Sequence, residues 1–130
     1  MGDMQETSAL SRRERQIMEV IYTRGQASAN EVLAGLADPP SYSAVRTLLG
    51  ILEQKGYVRH IRERGKYIYL PTTPRDKAGQ DALQRVLQTY YDGSLAKAAA
   101  ALFDASERTL SEDEVQRLTR MIAQAKEEGR

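Results

Sequence analysis

Three times in this chain a serine stands three residues before a glutamate: Ser11-Arg-Arg-Glu14, Ser28-Ala-Asn-Glu31 and Ser111-Glu-Asp-Glu114. In such a box the serine oxygen accepts the free backbone N–H at the glutamate, and the carboxylate returns to accept the serine N–H. Each box marks a helix start, so three of them predict a mainly α-helical chain. At the third, Leu110 and Val115 also have the spacing of a hydrophobic staple.

The first box opens a helix expected from Arg12 to Arg24, with Ile17, Met18 and Ile21 as its apolar stripe and Gly25 as its stop. The second opens Ala29 to Ala37, burying Val32, Leu33 and Leu36. Asp38-Pro39-Pro40 then forces a turn, because two prolines cannot continue a helix. A third helix follows Ser41, with Val45, Leu48, Leu49 and Leu52 at helical spacing, and closes at Lys55-Gly56. The period then changes. Tyr57-Val-Arg-His-Ile61 and Lys66-Tyr-Ile-Tyr-Leu70 read as strands, linked by Arg62-Glu-Arg-Gly65 and ended by Pro71.

A second helical unit follows. Thr73-Pro74 reads as an N-cap with proline at the first helical position, and the helix continues to about Tyr91. Asp92-Gly93-Ser94 breaks it. A short helix carrying Leu95, Leu102 and Phe103 comes next, then a last helix with Val115, Leu118, Met121 and Ile122. Three small parts are expected: a flexible tail over 1–8, a helix–hairpin domain over 9–71, and a helical region over 72–130.

Three helices and a hairpin within about sixty residues have the order of a winged helix-turn-helix, in which the third helix enters the DNA major groove and the hairpin flanks it. Charge agrees with that. The net charge is only +1, but between Arg46 and Lys66 six cations face two carboxylates, Glu53 and Glu63. A local basic patch on a nearly neutral chain suggests a polyanion at one surface. Opposite the third helix's apolar stripe stand Ser43, Arg46, Thr47, Gly50 and Gln54, with Ser41 at its start. Arginine can bond guanine O6 and N7 together, and serine or threonine can meet base edges. Arg59, Arg62, Arg64 and Lys66 are candidates for phosphate contacts from the hairpin. His60 reads as a half-exposed strand residue, and Tyr57, Tyr67 and Tyr69 as packing residues.

Catalysis has little to build on. There is no cysteine, which excludes thiolate sites and disulfides. A serine triad would have to use the single histidine, His60, and no G-x-S-x-G turn is present, so no cofactor or metal is expected, and no catalysis. The rival functions are a winged helix that binds protein without reading DNA, and an enzyme built on carboxylates alone. No apolar run approaches the roughly 18 residues of a membrane span, and Met1 to Thr7 lacks the apolar core of a secretory signal. No membrane insertion and a cytoplasmic location are the expectation.

The helices after the hairpin hold more apolar surface than a small unit can bury alone. Leu83, Val86, Leu87, Tyr90, Tyr91, Leu95, Leu102, Phe103, Leu118 and Ile122 are therefore candidates for a homodimer contact.

Several segments resemble the BlaI/MecI/CopY (penicillinase repressor) family. They are Leu10-Ser-Arg-Arg-Glu14 with Ile17-Met-Glu19, and Asp38-Pro-Pro-Ser-Tyr-Ser-Ala-Val-Arg-Thr-Leu-Leu49. Leu52-Glu-Gln-Lys-Gly-Tyr-Val58, Tyr67-Ile-Tyr-Leu-Pro71, Tyr91-Asp-Gly-Ser94 and Leu102-Phe103 extend the likeness over nearly the whole chain. The resemblance implies a dimeric bacterial repressor, with an N-terminal winged helix on a double-stranded DNA operator and a C-terminal helical dimerisation region. It puts Ser43, Arg46 and Thr47 on the recognition helix. An upstream sensor protein is a candidate partner. Two features depart from relatives. The cysteine-rich C-terminal metal motif of copper-responsive members is missing, and Leu102 precedes Phe103 where β-lactam-responsive members have a cleavable Asn–Phe bond.

Overall fold

The structure, a computed structural model, describes residues 9–105 and 110–129, and in it each of the three serine–glutamate boxes closes. The expected tail over 1–8 lies outside the described residues. The Ser11 N–H donates to the Glu14 carboxylate at 2.7 Å, and the Glu14 N–H donates back to Ser11 Oγ at 3.2 Å. The Ser28 box has distances of 2.9 and 3.2 Å, while the Ser111 box is looser at 3.5 and 3.1 Å.

The elements in order are α1 (Arg12–Arg24), β1 (Ala27–Ser28), α2 (Ala29–Gly35), α3 (Tyr42–Gln54), β2 (Val58–Glu63), β3 (Lys66–Pro71), α4 (Arg75–Tyr90), α5 (Leu95–Ala105) and α6 (Glu112–Glu127). The chain is mainly helical, with one three-stranded antiparallel sheet of order β1-β3-β2. The first three helices stand where the caps and apolar spacing put them, and Gly25 ends α1 with a φ of 89°.

Four details differ from the sequence reading. α2 stops at Gly35 instead of Ala37, because Leu36 turns extended and buries its side chain. Ser28 both caps α2 and forms part of β1, whose two residues pair with Ile68 and Tyr69. Arg62 and Glu63 belong to the ladder and not to the link, facing Tyr67 and Lys66. The turn is therefore only Arg64 and Gly65, with φ of 53° and 78°. Positive φ at both central residues suits the right-handed twist of a two-residue hairpin. Finally, the first hydrogen bond of α4 runs from Ala78 N–H to the Pro74 carbonyl, so Pro74 is itself the cap. The Thr73 carbonyl instead accepts the Tyr22 hydroxyl at 3.0 Å.

The chain groups into two compact units, one as far as Ala82 and one from Leu83, so α4 runs from the first into the second. In the first unit Ile17 and Ile21 from α1, Val32 from α2 and Val45, Leu49 and Leu52 from α3 are fully buried together. Burying each contributes about 1.5–3 kcal/mol. Val58 and Tyr69 bring the sheet onto this core. In the second unit the helices bury no residue at all, and their apolar stripes are exposed.

Candidate nucleic-acid interface

Helix α3 buries one stripe and leaves the other bare. Val45, Leu49 and Leu52 go inward, while Ser41, Ser43, Arg46, Thr47, Gly50 and Gln54 are all exposed. Ser41 is the N-cap, and its hydroxyl already accepts the Ala44 N–H at 3.1 Å. Gly50 is not demanded by packing, since a methyl group there would meet nothing within 4 Å. Its bareness faces outward.

Two neighbours on α1 hold α3 at its ends. The Arg13 guanidinium donates to the Asp38 carbonyl at 2.8 Å, in the loop that leads into α3. The Lys55 ammonium, just past the end of α3, donates to the Glu14 carboxylate at 3.0 Å and to the Ala9 carbonyl at 3.3 Å. Burial pushes the Glu14 pKa up, but the Ser11 N–H and hydroxyl and the Lys55 cation outweigh it and leave it lowered. Lys55 thus spends its charge inside the fold and adds little to the basic surface. The sequence reading missed both anchors, because each joins residues far apart in the chain.

The hairpin cations divide between two faces. Residues opposite each other in an antiparallel pair share a face, so His60 with Tyr69 and Arg62 with Tyr67 lie together. Val58 and Tyr69 on that face are buried in the core, which sets it on the helix side. Arg59, Glu63 and Lys66 lie on the outer face with Ile61, Ile68 and Leu70. Arg64 is at the tip. Arg62 is thus on the helix-side face of the ladder, and Arg64 is in the turn beyond it.

On the helix side the α3 carboxylate of Glu53 lies 2.8 Å from His60 Nδ1. The His60 ring packs on Tyr67 with centroids 4.5 Å apart, and the Arg62 guanidinium sits 5.9 Å over that same tyrosine ring. Burial raises the Tyr69 pKa, with Glu53 adding to the shift and Arg46 opposing it. Tyr69 is thus packed as expected, whereas Tyr67 on the same face remains 42% exposed. Among the described residues no cluster of histidine and carboxylates could hold a metal ion, and no helix is long and apolar enough to cross a membrane.

Of the ten C-terminal residues singled out for self-association, Leu87 and Tyr91 are half-buried and the other eight are exposed. Leu95 and Tyr90 are 75% and 74% exposed, and Met121 joins them at 57%.

The pattern of a protein family described as penicillinase repressor matches residues 10–124. An uncharacterized 16.5 kDa protein in the ptsI 3′ region of Latilactobacillus sakei is 24% identical over 118 residues, spanning 89% of this chain and 80% of that one. A solved CopR repressor structure is 32% identical, covering 50% of this chain and 97% of its own, with a TM-score of 0.43. A cysteine-to-serine mutant of MarR from E. coli is 14% identical, with 94% and 82% covered and a TM-score of 0.51. At that identity the MarR likeness bears on the fold alone.

Proposed function

The chain belongs to the penicillinase repressor family, a family of DNA-binding transcriptional regulators and not of enzymes, and from that premise we propose that it acts as a homodimer on a two-fold symmetric operator. In this reading residues 9–71 are the winged helix-turn-helix and residues 72–130 the dimerisation region. Helix α3 enters the major groove. Arg46 and Thr47 read bases, Ser43 and Gln54 support them, and Ser41 fixes the helix start. Gly50 lets the helix backbone approach the base edges. Arg62 and Arg64 hold phosphate, with Arg59 and Lys66 left to a more distant strand.

The observation that carries this reading is the exposed face of α3, held at both ends by α1 and flanked by the helix side of the hairpin. The second copy is argued from exposure. Large apolar side chains left exposed along helices commonly mark a contact surface, and Leu83, Tyr90, Leu95, Leu102 and Ile122 are each more than 60% exposed. A two-fold dimer would set two recognition helices about 34–36 Å apart, matching half-sites one turn apart.

Selecting bound fragments from the source genome and footprinting them with the full chain tests the proposal. Two protected half-sites related by a dyad are expected. Protection of a single unrepeated site would remove the symmetric dimer, and failure to select any sequence would remove base readout.

A further inference from the structure

Glu53 is the single carboxylate of α3, on the side of the helix that meets the hairpin. If DNA lies along α3 and the hairpin, as proposed above, a fixed negative charge stands beside its phosphates. Left alone, that charge would repel them. Among the described residues its hydrogen-bond partner is the imidazole of His60, whose Nδ1 is 2.8 Å from both carboxylate oxygens. Neither side chain is sealed off, with 36% of His60 and 34% of Glu53 exposed, so a bound phosphate strand would change the surroundings of both.

The other groups around the imidazole are few. From β3 the rings of Tyr67 and Tyr69 lie 4.5 and 5.7 Å from it. Arg62 of β2 sits over Tyr67. From α3, Arg46 and Tyr42 act on the Tyr69 hydroxyl together with Glu53. Histidine is the side chain whose charge ordinarily changes between about pH 5 and 8, and His60 is the single histidine of the chain.

We propose that the Glu53–His60 pair is the proton-linked element of the DNA interface, His60 taking up one proton when DNA binds. Nδ1–H stays on the Glu53 carboxylate, and the proton enters from the buffer at Nε2. The pair changes from a net negative charge to neutral, and the imidazolium gains a second N–H donor. His60 and Glu53 thereby act as positioning residues: they keep the recognition helix and the wing together while removing the repulsive charge of Glu53 from beside the phosphates. The inference rests on the proposed α3-and-wing interface.

The test uses the full chain and a labelled duplex of mixed sequence, about 30 base pairs or roughly three helical turns, because phosphate contacts do not depend on sequence. Affinity is measured by anisotropy from about pH 6 to 8.5 at constant salt. Calorimetry in buffers of different ionisation enthalpy counts the protons. Wild-type affinity should fall by up to about tenfold per pH unit over part of that range, the slope of one linked proton. His60→Gln should bind more weakly near pH 6 and show a flatter profile. Adding Glu53→Gln to it should recover the lost affinity, which a purely structural role would not allow. His60→Arg, with its permanent charge, should bind near pH 8.5 as the wild type does near pH 6. Matching pH profiles and proton counts for wild type and His60→Gln would overturn the inference. Arg62→Ala with Arg64→Ala on the same duplex separates the two levels of argument. If that pair weakens binding while the pH profiles match, only the proton linkage fails. If it has no effect, the wing is outside the interface and both readings fall.

Discussion

Lys55, just past the end of α3, places its ammonium 3.0 Å from the carboxylate of Glu14 in the first turn of α1, 41 residues earlier in the chain. Glu14 is 3% exposed, and besides Lys55 it accepts the Ser11 N–H, so removing it strands two donors. Glu14→Ala should cost about 2–3 kcal/mol of stability in urea unfolding, below the full cost of breaking a buried pair because Lys55 is partly solvated. The pH dependence has a definite sign. The folded-state pKa of Glu14 lies below the ordinary 4.5. Its contribution is therefore complete above the unfolded value and is lost as pH falls through the folded one. Glu14→Gln should flatten the acid side of the stability curve below about pH 4.5. An acid limb as steep as the wild type's would show that other carboxylates govern it.

Arg46 and Gly50 are one turn apart on the exposed face of α3 and should respond in opposite ways. Arg46→Ala should leave stability nearly unchanged, weaken binding to the selected site by about 1–3 kcal/mol and relax the choice at one base pair. Gly50→Ala should stabilise the fold by up to about 1 kcal/mol, since glycine is a poor helix former and the added methyl meets nothing. The same methyl should lower operator affinity if the helix backbone approaches base edges. Thermal melts beside binding curves separate these effects. A Gly50→Ala protein that is more stable and binds equally well would mean that this part of α3 does not enter the groove.

The two-faced hairpin predicts an unequal salt response. Arg62→Ala should weaken binding to any sequence and flatten the log–log salt slope by roughly 0.9, the effect of one lost phosphate contact. Arg59→Ala, on the outer face, should change the slope less. Equal slopes for the two variants would place the duplex across the tip of the hairpin, not along its helix side.

Substituting Leu118 and Ile122 with Asp should turn a dimer into a monomer without disturbing the winged helix. Neither residue contributes to a buried core within the chain, whereas an unpaired carboxylate buried in an interface costs several kcal/mol. Sedimentation velocity would read the change directly, and operator affinity should drop with it as the avidity of the second half-site is lost. If the wild type and the variant sediment alike, the last helix is not part of the contact.

What the sequence disclosed was local or periodic. The caps at Ser11, Ser28 and Ser111 depend on a neighbour three residues away, and the inward face of α3 repeats at helical spacing. The outward face of α3 follows from the same period. Strand β1 escaped notice because two residues are too few for any alternation, and its partner lies some forty residues later. The length of the hairpin turn is set by pairing that composition does not reveal, so the sequence alone neither puts Arg62 in the ladder nor divides the four cations between two faces. The Glu53–His60 pair was hidden for a related reason. Seven residues separate them, but a helix end and a turn intervene, and no pattern in the sequence announces their meeting.

The pairing of β1 with β3 also bears on the order in which a growing polypeptide can settle. Helices α1 to α3 are complete by Gln54, yet the ladder that fastens Ala27 needs Tyr69, a residue made later. On the ribosome the three helices therefore emerge with one flank of their apolar interior open, awaiting Val58 and Tyr69. The hairpin is thus the clasp that shuts the domain, and a stalled chain ending in α3 would expose sticky surface to chaperones.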